Sequence, residues 1–432
     1  MEAAVLFGFF VVMLIIGVPI GYAIGLSVIF TIPLFTDINL MLVAQQSIVG
    51  VDSFPLMAIP FFILAGNIMS TGGVAKRLVH LANVLFGFMA GGLAVVGTVT
   101  SMFFGAISGS AVATTSAVGS FLIPEMKKHN YNAAFSAASV AAAGTVGVII
   151  PPSIPLVIYA VVVGASITDL FIAGIIPGIL MGIALIIANV LMCKKMGYQG
   201  CCETAAKMPS LGEVFKAVIV AIPALLAPVI ILGGIYSGFF TPTEAAVVAV
   251  VYSALVSAFI YRELTWKSLY KSLYDTIIVN GVTTFMVGLS GAFAVFLSMQ
   301  QIPTSLAEMM LSLTENKFLV LLMINIFLLI IGTFIDNIPA TIILSPIFLP
   351  VVAELGVSAT QLGIIITMNL AIGFITPPYG INLFVASAVS GVRMESMIKP
   401  ILCLIGALLV VLALVTYVPE TTMFLVDLMK SK

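Results

Sequence analysis

The chain has 432 residues, of which 62% are hydrophobic and only 8% charged, with a formal net charge of −1. A soluble domain carries roughly 25% charged residues to hold its water-facing surface, so this composition excludes one, and the near-neutral balance argues against nucleic acid as a partner. The mean hydropathy of +1.28 and the charge-free runs 5–17, 177–192, 217–234 and 401–415 instead match helices crossing a hydrocarbon core of about 30 Å; the period-two alternation of a membrane barrel is absent.

The first predicted span, 4–35, is not a cleavable signal peptide, because Glu2 stands where basic residues belong and the apolar run continues to Phe35. Gly17, Pro19, Gly21 and Gly25 predict that it is bent or strongly tilted. A second span, 53–69, precedes an amphipathic stretch at 74–86 with Lys76, Arg77 and His80, read as an interfacial helix. The apolar block 88–124 is then interrupted near its middle by small and polar residues. Spans at 130–165, 170–193, 217–236, 243–261 and 277–299 lead to a second interrupted block, 318–350, and the chain closes with spans at 359–390 and 397–418. Cys193, Cys201, Cys202 and Cys403 form no CxxC pair and have no histidine cluster beside them, which excludes an obvious metal site or disulfide framework.

Charge placement orients these elements. With the N-terminus in the cytoplasm and each interrupted block entering and leaving on one side, 13 of the 16 basic residues fall on the cytoplasmic face. These include Lys76, Arg77, Lys127, Lys128, Lys207, Arg262, Lys267, Lys271, Arg393 and Lys399, whereas only Lys317, Lys430 and Lys432 fall opposite, on the periplasmic side with the C-terminus. The two blocks therefore read as re-entrant hairpins, the first opening inward and the second outward.

A shift of 226 positions lays Pro124 on Pro350, Gly147-Val-Ile-Ile-Pro151-Pro152 on Gly373-Phe-Ile-Thr-Pro377-Pro378, and Ser110 on Asp336. A weaker echo at a shift of 228 pairs 74–78 with 302–306. The fold expected is an all-α integral membrane protein of two inverted structural repeats, each with a re-entrant hairpin and a broken helix. Its parts are N-terminal spans at 1–70, the first repeat at 71–193, a cytoplasmic loop and scaffold helices at 194–274, the second repeat at 275–418, and a tail at 419–432.

Chemistry is expected where the helices break. Pro152 and Pro378 have no backbone N–H and displace the preceding residue from helical geometry, freeing carbonyls at membrane depth. A hard cation such as Na⁺ suits such oxygens, and half-helix N-termini suit an anionic substrate. One candidate cation site combines Ser108, Gly109 and Ser110 with Gly144, Gly147 and Pro151; the other combines Gly332, Thr333, Asp336 and Asn337 with Gly373, Thr376 and Pro377. Ser110, Thr114, Pro152, Asn369, Pro378 and Asn382 are candidate substrate contacts.

Asp336 reads as the only acidic side chain deep in the membrane, where an unpaired charge costs ~3 kcal/mol or more. It either caps the second hairpin helix or serves a cation site. The serines and threonines could equally bond the preceding turn, and Asn369 and Asn382 could be helix–helix contacts.

These segments resemble the large membrane subunit of the tripartite ATP-independent periplasmic (TRAP) transporters over essentially the whole chain. The resemblance is carried by AIPFFILAGNIM at 58–69, GAISGSAVATTSAVGSFLIPEM at 105–126, GVIIPPSIPLVIYA at 147–160, GFFTPTEAAVVAVVY at 238–252 and NLAIGFITPPYGINLFVASAVSG at 369–391. It implies a Na⁺-coupled, elevator-type importer in the bacterial inner membrane, with no cofactor beyond the coupling ion. The implied partners are a small four-helix membrane subunit and a periplasmic substrate-binding protein, and the implied substrates are carboxylates such as sialic acids and C4-dicarboxylates. The start at Met1 implies the unfused type, with the small subunit on a separate chain.

The competing readings are a stand-alone elevator carrier for dicarboxylates or inorganic anions, a channel, and an intramembrane enzyme. An aspartyl protease would need a second membrane acid beside Asp336, and a Ser/His or metal enzyme a membrane histidine; the reading of the spans offers neither.

Overall fold

The computed structural model describes residues 2–36, 38–198, 209–314 and 316–431; Lys207, Lys432, Cys201 and Cys202 lie outside them. Every described element is helical. In order these are α1 (Glu2–Ile16), α2 (Ile20–Phe35), α3 (Met41–Val51), α4 (Ala58–Thr71), α5 (Val74–Phe86), α6 (Gly92–Ser108) and α7 (Ala111–Lys128). The first half continues with α8 (Ala133–Thr145), α9 (Ile154–Val163) and α10 (Ile167–Lys195). The second comprises α11 (Leu211–Tyr236), α12 (Pro242–Leu255), α13 (Trp266–Met299), α14 (Ile302–Leu313), α15 (Lys317–Phe334) and α16 (Asn337–Glu354). It ends in α17 (Ala359–Gly373), α18 (Ile381–Ser390), α19 (Met394–Tyr417) and α20 (Glu420–Lys430). Eight helical segments among the described residues are long and apolar enough to cross a membrane, whereas the half-helices α8, α9, α17 and α18 are not.

Three elements differ from the sequence expectation. The span 4–35 is two helices, because Gly17 takes φ +90 and Pro19, without an N–H, stands at the N-cap of α2. The chain folds back there, bringing the Phe9 and Phe30 rings within 5.8 Å. Residues 41–51, which carry Gln45, Gln46 and Ser47, form α3; with the short 3₁₀ turn Phe54–Met57 and α4 it makes one broken run antiparallel to α13. The stretch 419–432, expected as a tail, holds α20, tied to the start of α10 by a Lys430–Asp169 ion pair of 2.6 Å.

The helices exchange partners between the halves. α7 packs on α18 and α16 on α9; α4 packs on α12 and α13 on α2; α8 packs on α19 and α17 on α10. Each of these cross-half contacts has a counterpart, and α5 and α14 start 228 positions apart, at Val74 and Ile302.

The hairpins also point oppositely. At the base of α6–α7, Lys127 reaches the Ser390 carbonyl, just before α19 begins; at the base of α15–α16, the Phe318 carbonyl accepts from Tyr417 at 3.1 Å, where α19 ends. α19 has 24 residues, about 36 Å of helix, so the two hairpins open toward opposite ends of the molecule. Between them lies the densest packing, with α8 buried from Phe135 to Thr145 and α17 from Gln361 to Gly373.

Candidate functional site

The first hairpin turns at Gly109, whose φ of +61 disfavours any side chain, and its carbonyl accepts from the Ile154 N–H at 3.3 Å. A Cβ at Gly109 would stand 2.7 Å from the Pro152 carbonyl, so the tip sits against the broken helix with no room between. Ser110 caps α7 by accepting from Ala113 N–H at 3.3 Å. Below it, Thr114 donates to the Ser110 carbonyl at 2.7 Å, and its hydroxyl lies 3.0 Å from that of Ser108. Gly147 is pressed on this knot: its Cβ would lie 2.6 Å from Thr114 Oγ1 and 3.2 Å from the Ser110 carbonyl. Gly144 packs one turn away on Thr115, whose buried hydroxyl has no hydrogen-bond partner among the described residues.

The second half repeats the close approach. A Cβ on Gly373 would stand 2.4 Å from the Gly332 carbonyl, as one on Gly105 would stand 2.5 Å from Gly147 Cα. Asp336 occupies the N-cap of α16, half-buried, yet its carboxylate closes no capping hydrogen bond of normal geometry; its nearest donors are the backbone N–H groups of Asn337 and Ile338. Asn337 is buried, and its Oδ1 accepts from Thr341 at 3.0 Å while Nδ2 has no partner among the described residues.

One cavity of about 550 Å³ gathers both tips. Ser108, Gly109 and Ser110 line it from the first hairpin, Asp336 and Asn337 from the second, α4 adds Gly66 and Asn67, and α13 adds Asp275, Thr283 and Met286. The first turns of α7, α9 and α16 all reach it, through Ala111, Ile154 and Ile338. Three helix N-termini, each with about half a positive charge, therefore face the same space as the Asp336 carboxylate.

The other predicted residues lie elsewhere. Pro151 packs on Gly174 of α10. Gly332 and Gly373 are spent on helix contact. The Thr333 hydroxyl donates to the Ile330 carbonyl of its own helix at 2.7 Å, and the Thr376 hydroxyl to the Ile372 carbonyl near the end of α17 at 2.8 Å. Pro377 is half-buried, Pro378 faces outward, and neither lines the cavity.

Asn369 donates to Asn325 Oδ1 at 2.7 Å, and Asn325 to Thr416 at 3.0 Å, so its amide ties α17 to α15 and α19 rather than facing the cavity. Asn382 donates to the Ala141 carbonyl at 3.3 Å, joining α18 to α8.

Sequence reasoning missed Asn67, Ser116 and Asp275. Asp275 is a second carboxylate on the cavity that Asp336 lines.

Comparison with known proteins decides the class. The family model for the tripartite ATP-independent periplasmic transporter, DctM component, matches residues 7–421. The isethionate TRAP transporter permease protein DctMQ of Oleidesulfovibrio alaskensis is 45% identical over 97% of this chain, which spans 66% of that relative's length, just under two thirds. The C4-dicarboxylate TRAP transporter large permease protein DctM of Pseudomonas aeruginosa is 42% identical over 93% of both chains. The sialic acid TRAP transporter large permease protein SiaM of Vibrio cholerae is 36% identical over 96% of both. Among solved structures, the YdaH transporter of Alcanivorax borkumensis superposes with a TM-score of 0.59 over 87% of this chain and 86% of its own, at 14% identity, a likeness of fold.

Proposed function

The chain belongs to the DctM component family of tripartite ATP-independent periplasmic transporters, and from that membership we propose that it is the translocating subunit of a Na⁺-coupled importer of an organic anion. The family is one of transporters, which supports this reading over the enzyme and channel readings. The observation that carries the finer reading is the single cavity where three helix N-termini and Asp336 converge.

The charges there demand a cation. Each N-terminus favours an anion by about 0.3–1 kcal/mol, rising to ~2 when partly buried. A substrate anion about 4 Å from Asp336 would meet ~4 kcal/mol of repulsion at an effective dielectric near 20. Repulsion of that size cancels most of the dipole attraction. A Na⁺ held by Asp336 and the tip oxygens removes it, so ion and substrate bind well only together. That is coupling by charge, with Ser110 and Asp336 as the paired tip residues.

The substrate follows as an organic acid, carboxylate or sulfonate, since the relatives' names span isethionate, C4-dicarboxylates and sialic acid. A periplasmic binding protein delivers it and a small membrane subunit completes the transporter in the bacterial inner membrane. If the basic end of α13, with Arg262, Lys267 and Lys271, faces the cytoplasm, the N-terminus lies on the periplasmic side. What supports this is that Phe7 packs on Phe293 at 6.1 Å, near the other end of α13. A cytoplasmic N-terminus goes with one unbroken 4–35 span, and a periplasmic one with the turn at Gly17.

The test is uptake by proteoliposomes holding the complete transporter, with the binding protein outside and a panel of isethionate, C4-dicarboxylates and sialate. Uptake of one of these should require Na⁺, and Asp336→Asn should weaken Na⁺ activation in folded protein. Full uptake with K⁺ replacing Na⁺ would end the coupled reading, and full uptake without binding protein would favour the stand-alone carrier.

A further inference from the structure

Asp275 lies on a different element from the tips. It projects from α13, while Asp336 belongs to the second hairpin, yet both line the same cavity. α13 borders this space from Met286 to Asp275, about 16 Å of helix, with Asp275 nearest the basic end. Asn67 donates to the adjacent Thr276 at 3.0 Å, which sets Asn67 level with Asp275 across the α4–α13 contact. Ser116, on the turn of α7 below Ala113, faces the same passage.

Asp275 is exposed to it, and no basic side chain among the described residues pairs with it, Lys271 one turn earlier included. A carboxylate so near apolar surroundings without a partner calls for a functional one. Its neighbours supply uncharged oxygens. An anion would be repelled at this point, whereas a cation moving between the tips and the basic end would be drawn through it.

We propose that Asp275 is a cation-relay residue, receiving the coupling Na⁺ as it leaves Asp336 on the cytoplasmic side. The inference rests on the reading of Asp336 as a cation residue. Its distinctive consequence is sidedness. Asp275 belongs to α13 and is met only when the tips face its end of the cavity, so it governs cation affinity from one side alone.

The experiment uses the complete transporter in proteoliposomes, with binding protein outside so that only one orientation takes up substrate. Two quantities are measured at constant ionic strength: activation by external Na⁺ and inhibition by luminal Na⁺. Asp275→Asn should raise the luminal Na⁺ needed for half-inhibition roughly tenfold and leave external activation unchanged, and Asp275→Glu should restore the wild-type values. Equal shifts on both sides, or none on the luminal side, would overturn the proposal.

For a variant without uptake, the same shift is read as Na⁺ protection of a single cysteine at Ser116 against a membrane-impermeant maleimide, which needs no turnover. Absence of protection in the parent with native Asp275 would also overturn it. Asp336→Asn is run in parallel. If it leaves external activation intact, the Asp336 reading fails, and the sided effect of Asp275 is judged on its own.

Discussion

Gly332 and Gly373 meet backbone to backbone, as do Gly105 and Gly147, and these two crossings hold the hairpins against the broken helices. Because the obstacle is a carbonyl rather than a movable side chain, Gly373→Ala should cost ~1–3 kcal/mol, toward the upper end of that range. Gly406→Ala, in α19 with nothing within 4 Å of the added methyl, should be neutral or stabilising by about 0.5–1 kcal/mol. Melting in detergent checks both, and equal melting temperatures would refute the steric argument. Asn369 offers a second test at this scale. Leu at this position loses interhelical bonds averaging ~0.6 kcal/mol each, so Asn369→Leu should lower stability while KM for the substrate stays unchanged; a raised KM in stable protein would return Asn369 to the substrate site. The tips were legible from sequence because Ser110 and Asp336 break apolar runs at one spacing. Asp275 was not, because Lys267, Lys271 and Asp275 together look like a solvated loop. The signal missed was Thr265 with Ser268, a reciprocal cap that starts α13 well before its apolar stretch.

At the scale of elements, hydropathy read nearly every long helix, and the Pro-Pro positions read both breaks. It failed where an apolar run continues through a turn, as at Gly17–Pro19, because no polar residue punctuates it; Pro19 after Gly17 was the available sign. Short α3 was hidden by its glutamines, which hydropathy scores as loop. The amphipathic α5 was legible, and the structure adds how it is held. Arg77 pairs with Glu263, donates to the Gly73 carbonyl at 3.0 Å and lies 4.4 Å from the centre of the Tyr261 ring. Because Glu263 is part-exposed, the ion pair itself contributes little, about 1 kcal/mol at most, and the cation–π contact about 0.5–1 kcal/mol. Arg77→Gln should therefore loosen α5 without unfolding the protein. Hydrogen exchange should rise over Val74–Phe86 and remain unchanged in α8; a uniform rise through both helices would mean that Arg77 supports the whole fold instead.

Over the whole molecule, the exchange of partners between halves separates two sets of helices. α6–α9 with α15–α18 carry the tips and the breaks, while α2, α3 and α4 pack with α12 and α13 into a wall along one side of the cavity. Cysteines placed near Lys128 and near Glu354 should label from opposite faces of the membrane, and one near Glu2 should label with Glu354; agreement of Glu2 with Lys128 would overturn the orientation drawn from α1 and α2. Each hairpin opens to one end only, so a site made by both tips must change its exposure either by rocking about a fixed centre or by travelling as a block. The wall favours travel. α13 runs for 34 residues, about 51 Å, and its cavity face from Met286 to Asp275 is the kind of track along which tips can slide. The helices that carry the tips and breaks are tied to one another across the halves by contacts such as the Tyr159 hydroxyl donating to the Ala359 carbonyl at 2.6 Å. Rocking would have to break such ties, whereas translation keeps them. Spin labels at Ser120 on α7 and Val220 on α11 should therefore give two distance populations several ångströms apart, shifting with Na⁺ and substrate, while a pair at Ser120 and Ser390 stays constant. A single unchanging Ser120–Val220 distance in transporting protein would sink the elevator, and a changing Ser120–Ser390 distance would show that the block itself comes apart.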